Sequence, residues 1–272
     1  MADPIIEART VSKSYPIRTG VWRRQVSMIR AVDQVSCALR AGESLGLVGE
    51  SGCGKTTLAK LLIGLLSPTA GEVFLHGQSF DTLRGVRLLA ARRTVQFVFQ
   101  DPVNSLNPRL TVEDTLGEPL AIHRLASRGN RRTRIRELLE TVHLPAAYAS
   151  RLPRELSGGE RQRIGIARAL ATNPEALICD EPIASLDVSV GAQILELLRE
   201  LRRRRRLALL FISHDLRAVA SLCERIAVMR QGQLLEAAPT EELLTRPRQP
   251  YTELLIRSAE LDLDAPAATL NT

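Results

Sequence analysis

At 272 residues, 44% hydrophobic and 25% charged, the chain has the size and composition of one large folded domain with room for a smaller lobe or tail. Its longest apolar run, residues 207–212, falls far short of the roughly 20 residues that cross a bilayer, and the acidic start lacks a basic, then apolar, secretory signal, so a cytosolic protein is expected. The formal charge is +7, yet aromatic residues make up only 3% of the chain, which argues against a base-stacking nucleic-acid surface.

In chain order, residues 43–48 read as a buried strand, followed by a glycine-rich turn and a helix to about 66. Residues 71–78 read as a strand ending in a His76-Gly77 turn, and 94–99 as a strand that is apolar apart from Gln96. From 101 to about 171 the pattern is helical with polar connections, which predicts a lobe inserted into an α/β core. Buried strands resume at 176–179 and 207–212, with an amphipathic helix around 190–201 between them. The arginine run 202–206 reads as the solvated end of that helix. Segments 226–229 and 233–236, joined by Arg230-Gln231-Gly232, predict a hairpin. Residues 1–245 are expected to form one domain, and 246–272, with Pro247 and Pro250, an extension and frayed tail. The fold class that follows is α/β, with a mostly parallel core sheet, an antiparallel β portion and an inserted helical lobe. Cys37, Cys53, Cys179 and Cys223 form no CxxC pair and predict isolated thiols rather than a metal or disulfide framework.

The stretch Gly49-Glu50-Ser51-Gly52-Cys53-Gly54-Lys55-Thr56 matches GxxxxGK[ST] at every fixed position, between a predicted strand and a predicted helix. Such a loop turns backbone N–H groups onto the phosphates of a nucleotide while the helix presents its positive end. Lys55 is expected to neutralise phosphate oxygens and Thr56 to ligate Mg²⁺, with Thr57 completing the nucleotide-binding set. None of the three lysines, Lys13, Lys55 and Lys60, is followed by Asp two residues on, so the guanine-reading NKxD box is absent from the sequence. Asp180, ending the apolar strand from Ala176, is placed to hold Mg²⁺ through water, and Glu181 to polarise the attacking water. Farther along the helical lobe, Ser157-Gly158-Gly159-Glu160 opens a helix with a capping box and bares a second anion-attracting N-terminus. One chain does not readily bring two helix starts to opposite sides of one triphosphate, so a second chain is implied.

These motifs, spread from 15 to 255, resemble the ATP-binding subunits of ABC transporters, whose fold is the P-loop NTPase cassette. The resemblance implies that the signature Ser157, Gly158, Gly159 and Glu160 caps the γ-phosphate of ATP on the opposite subunit. It assigns Gln100 to the Q-loop that touches Mg²⁺ and the attacking water, Asp187 to the D-loop at the dimer interface, His214 to the switch histidine, and Tyr15 to stacking on adenine. Glu160 stands where the family more often has Gln; the resulting negative charge near the partner's γ-phosphate is expected to weaken closure mildly.

Phe99-Gln100-Asp101-Pro102, Ser105-Leu106-Asn107-Pro108-Arg109 and Arg246-Pro247-Arg248-Gln249-Pro250-Tyr251-Thr252 are similar to segments of the oligopeptide, dipeptide and nickel importer branch. Ordinary ATPase function is not expected to require these branch stretches. No cysteine follows Cys223, so the iron–sulfur tail of some branch members is not expected. The resemblance implies two transmembrane permease subunits, a second homologous ATPase, an extracytoplasmic binding protein acting indirectly, no nucleic acid, and a peripheral position on the cytoplasmic face of the inner membrane. The cargo stays open between di- or oligopeptides and nickel or a metal chelate. A non-transport accessory ATPase, of the kind found in phosphonate degradation, is the alternative from another class.

Overall fold

Three five-residue runs in which every position is buried, β3 (Ser44–Val48), β7 (Ala176–Asp180) and β8 (Ala208–Ile212), form the centre of the molecule. Strands buried on both faces lose the apolar–polar alternation and belong in parallel sheets covered on each side. The computed structural model, which describes residues 3–19, 25–100, 105–127 and 129–264, bears this out. A six-stranded sheet runs in the order β10-β9-β3-β8-β7-β6, where β6 is Val95–Val98, β9 Arg225–Arg230 and β10 Gln233–Pro239. All its pairs are parallel except the β9–β10 hairpin. That hairpin turns on Gln231 and Gly232, both at positive φ, as the predicted turn requires.

Successive side chains of the central strands face opposite cores. Leu177 and Cys179 join a cluster with Ile164, Ile194 and Val219 of helices α5 (Gly158–Leu170), α6 (Val188–Arg205) and α7 (Leu216–Leu222). Ala176 and Ile178 join the other cluster, with Leu58 and Leu61 of α1 (Lys55–Leu62) and residues of a second sheet. That second sheet is antiparallel, in the order β2-β1-β4-β5, from β1 (Pro4–Thr19), β2 (Gln25–Arg40), β4 (Ala70–Leu75) and β5 (Gln78–Ser79). α1 is thus held between two sheets. The predicted helix to about 66 ends earlier, at Leu62.

The sequence reading names no strand before residue 43, yet β1 and β2 are the longest strands described. Register shifts around Ala8, Val11 and Lys13 break the two-residue period that would have marked them. Helix α2 (Gly85–Thr94) was also unread, and it takes Thr94 from the predicted strand. The lobe contains α3 (Val112–Ile122) and α4 (Arg131–Thr141), packed on α5 through Leu116, Leu139 and Ile164. Beyond the short α8 (Thr240–Thr245), the predicted extension contains α9 (Pro250–Asp264), which puts Tyr251 into the larger core. Residues 265–272, read as a frayed tail, lie outside the described residues. Cys53, Cys179 and Cys223 are buried and Cys37 half-buried, all four as free thiols; burial pushes Cys37 and Cys223 up to about 12. Among the described residues no helix is long and apolar enough to cross a membrane.

Candidate active site

The carboxyl ends of β3, β6, β7 and β8 open on one edge of the parallel sheet, the usual place for a ligand in this architecture. Past β3, the loop 49–54 turns into α1 through Gly54, whose φ of 111° is in the left-handed region. A Cβ there would come within 2.0 Å of the Ala31 carbonyl oxygen, so glycine is required twice over. α1 has no capping side chain and no acid in its first turn. An uncapped start costs about 0.5–2 kcal/mol. Burial of Leu58 and Leu61, both 1% exposed, offsets it at about 1.5–3 kcal/mol for each side chain. The helix therefore holds while its first N–H groups stay open to an anion.

Lys55 is 5% exposed, and its ammonium donates to the carbonyls of Gly49 at 2.6 Å and Glu50 at 2.9 Å. The cation is thus folded into the loop's own curve. Asp180, 3% exposed at the end of β7, accepts a hydrogen bond from the Thr56 hydroxyl, while its Oδ1 has no partner. Burial pushes this carboxyl above its ordinary range, with the Thr56 bond opposing. An unsatisfied carboxylate oxygen beside a hydroxyl, in a dry setting, is a hard-oxygen pair that fits Mg²⁺.

Glu181 follows with a φ of 47°, unusual for a non-glycine residue, and its N–H donates to the Ile212 carbonyl at 2.9 Å. The strained backbone turns the side chain back toward the sheet edge. Gln100 Nε2 donates to Glu181 Oε2 at 3.4 Å, and His214 Nδ1 lies 3.2 Å from the same oxygen. Residues from the ends of three strands, 81 and 33 positions away from Glu181 in sequence, thus meet on one carboxylate. Glu181 Oε2 is an acceptor when ionised, so Nδ1–H of His214 is the donor in this contact. His214 is set between Ser213, 2% exposed, and Asp215, which caps α7 through the N–H groups of Arg217 and Ala218.

A family model described as "ABC transporter" matches residues 32–184, more than half of the chain. The chain belongs to the ABC transporter family. The "Probable peptide ABC transporter ATP-binding protein y4tS" of Sinorhizobium fredii is 47% identical over 259 residues, covering 95% of this chain and 73% of that protein. The "Oligopeptide transport ATP-binding protein AppF" of Bacillus subtilis is 45% identical over 257 residues, covering 94% of this chain and 78% of its own length. Among solved structures, the dimeric post-hydrolysis state of the ATP-binding cassette MJ0796, bound to ADP and Pi, matches with a TM-score of 0.76 and 31% identity, covering 86% of this chain and 98% of that one. This chain is accordingly an ABC-type ATP-binding cassette and an ATP hydrolase.

The signature segment of this ABC cassette stands apart from that cluster. No hydrogen bond, ion pair or ring contact joins Ser157–Gly158–Gly159–Glu160 to the P-loop, Asp180 or Glu181 among the described residues. The capping box forms: Ser157 Oγ accepts from the Glu160 N–H at 3.3 Å, and Glu160 Oε2 accepts from the Ser157 N–H at 2.7 Å. The other carboxylate oxygen accepts from the Tyr148 hydroxyl at 2.7 Å, and the Arg151 guanidinium lies 3.7 Å from the Tyr148 ring centre. The Tyr148 bond, then the Ser157 backbone bond, hold the Glu160 carboxyl below its ordinary range. The charge at Glu160 is therefore engaged within its own subunit, a partner that the sequence reading missed.

The two signature glycines also have a packing reason. A Cβ at Gly159 would come within 2.4 Å of Val190 Cγ1, so α5 approaches the start of α6 closely. Asp187 starts α6 without a side-chain cap, and next to it Val188 is 91% exposed. Tyr15 lies on β1 with Lys13 Nζ 5.6 Å from its ring centre, and the ring is 38% exposed. No described contact joins Tyr15 to the P-loop. Of the importer-like stretch beside Gln100, Asp101 and Pro102 lie outside the described residues. A second contact that sequence alone does not reveal joins Tyr251 to the loop at Glu50.

Proposed function

We propose that the chain energises an importer of di- or oligopeptides, working as one half of a cassette dimer. The convergence of Gln100 and His214 on Glu181, beside the Asp180–Thr56 pair, carries this reading. In it, the open N-terminus of α1 and Lys55 bind the β- and γ-phosphates of ATP, with residues 49–57 as the cradle. Thr56, Asp180 and Gln100 would hold Mg²⁺, which neutralises charge developing on the phosphate oxygens. Glu181 orients the attacking water and takes up its proton as the water oxygen bonds to the γ-phosphorus. The bond from that phosphorus to the bridging oxygen breaks, and ADP departs with the electron pair. His214 holds the Glu181 carboxylate in place, and Tyr15 stacks on the adenine.

Ser157, Gly158, Gly159 and Glu160 would address the γ-phosphate of a second cassette, with Asp187 and exposed Val188 at the interface. A groove of about 270 Å³ beside Gln100, lined by Leu65, Phe97, Phe99 and Arg168 among others, suits helices of the permease subunits. In this reading the chain works on the cytoplasmic face of the inner membrane, peripheral to two permeases and a second homologous ATPase and indirectly served by an extracytoplasmic binding protein. Between peptide and nickel cargo, the kinship with peptide and oligopeptide transport ATP-binding proteins favours peptide.

Glu181→Gln tests the mechanism. It keeps the side chain's size and removes its basicity, so ATP binding stays within a few-fold while turnover falls at least 100-fold, the usual range for loss of a general base. Undiminished hydrolysis in a single-turnover assay would remove Glu181 from the reaction.

A further inference from the structure

The Pro-Tyr-Thr stretch opens α9 against the back of the P-loop. The Glu50 N–H donates to the Tyr251 hydroxyl at 3.2 Å, across 201 residues of sequence. Tyr251 is 5% exposed, and the Arg230 guanidinium lies 4.6 Å from its ring centre. The segment leading into the helix is pinned as well. The Glu236 carboxylate, in β10, accepts from the N–H groups of Arg248 at 2.9 Å and Gln249 at 3.2 Å. The same β9–β10 hairpin holds the other end of the loop, where the Gly232 N–H donates to the Cys53 carbonyl at 2.8 Å.

A loop carrying three glycines in eight residues loses more backbone freedom on ordering than any other composition. Groups on its inner side must stay open for phosphate, so bonds on its outer side have to supply the order. Glu50 N–H and Cys53 C=O are two such outer groups, and Tyr251 serves the first. We propose that Tyr251 is a positioning residue for ATP binding, and that α9 is part of the nucleotide site rather than a branch ornament. This rests on the reading of residues 49–57 as the phosphate cradle. On this reading the Arg246 to Thr252 stretch contributes to ATP binding, against the expectation that ordinary ATPase function does not require it. The helix also faces His214: Leu255 and Ser258 of α9 line a cleft of about 280 Å³ together with Gly49 and His214.

Tyr251→Phe keeps the ring beneath Arg230 and removes only the hydroxyl, which accepts from the Glu50 N–H and also bonds the Glu50 side chain. A loop that populates its binding-competent shape less often shows weaker apparent affinity without slower chemistry. In the full-length chain, KM and Kd for ATP should rise about 3- to 10-fold, within the range of one neutral hydrogen bond, with kcat within about twofold. The Glu50 amide should lose hydrogen-exchange protection in the nucleotide-free protein. Thr252→Val, at a buried hydroxyl without a hydrogen-bond partner, should change neither quantity. Unchanged KM and Glu50 exchange in Tyr251→Phe overturn the proposal, as does a fall in kcat at constant KM. If Tyr251→Phe does not fold, Glu236→Gln, which loosens the segment carrying Tyr251, takes its place. A KM rise of about twofold then supports the proposal, and no rise overturns it. Lys55→Ala, run in parallel, separates the two failures, since parental ATP affinity in that variant would remove the phosphate cradle itself.

Discussion

The two helix starts assigned to phosphate, those of α1 and α5, are finished in opposite ways. α1 begins at a glycine, with no capping side chain and no acid in its first turn, and Lys55 is folded back onto the loop carbonyls. α5 begins with a complete capping box, and its acid is further bound by Tyr148. The nearby carboxyls follow suit: burial raises Asp180 beside α1, while hydrogen bonds lower Glu160 in α5. The first site is left unsatisfied and waits for charge from a ligand. The second has satisfied its own outermost donors, so only the N–H groups baring Gly158 and Gly159 remain for an anion arriving from outside. An unfinished end suits a site that encloses nucleotide within one chain, and a finished end suits a surface that meets nucleotide carried by another.

The strongest way to break this contrast is Lys55→Ala. Were the phosphates bound away from residues 49–57, affinity would survive. With Lys55 contributing charge-assisted bonds of about 1.5–3 kcal/mol each, ATP affinity measured by titration calorimetry should instead fall at least about 100-fold. Retained affinity would remove residues 49–57 as the phosphate cradle, and the contrast with it.

A smaller effect sharpens the other side. Tyr148→Phe and Glu160→Gln remove the two ends of one hydrogen bond, so a double-mutant cycle should give a coupling of about 0.5–1 kcal/mol by denaturant unfolding, at the low end because the pair is partly solvated. If the α5 start meets a partner's ATP as proposed, Glu160→Gln also withdraws a negative charge from that contact. ATP-dependent dimerisation should tighten by about two- to fivefold, as read by sedimentation. Zero coupling together with unchanged dimer affinity would leave Glu160 as a helix cap and nothing more.

What the sequence made legible were elements whose signal is local. The P-loop, the β7 carboxylates and the signature helix each lie within about eight consecutive residues, and the buried strands around them read directly as apolar runs. Gln100 and His214 joined Glu181 in the sequence reading only through the family resemblance; in the fold they meet because all three follow strands of one sheet. β1 and β2 escaped because bulges near Val11 shift the register and scramble the alternation. Tyr148 and Tyr251 escaped for another reason. Each acts by a single hydroxyl on a partner fixed by tertiary folding, and nothing in the flanking residues marks such a bond. The importance of the Pro-Tyr-Thr segment lay in its position against Glu50, which no spacing rule supplies.

The mildest test of the contrast is acid. Because the folded Glu160 carboxyl is held below its ordinary value of 4.5, the folded state binds fewer protons there than the unfolded chain does. Its contribution to stability is therefore fully present above that value and is lost as the pH falls through the lower, folded one. Glu7 and Asp33 are lowered too, so whole-protein acid lability is not diagnostic. The diagnostic quantity is the difference between the parent and Glu160→Gln, in which those other groups cancel. The parent should be more stable by thermal unfolding at pH 6 to 7, and the gap should narrow steadily as the pH drops below about 4.5, where the bonds from Tyr148 and Ser157 meet a protonated acid. Asp180 works in the opposite direction, its ionised form being the costly one in the nucleotide-free protein, and it too is common to both proteins. A gap independent of pH would show that the α5 start is held by geometry and not by charge, and the two phosphate-facing helices would then differ in shape alone.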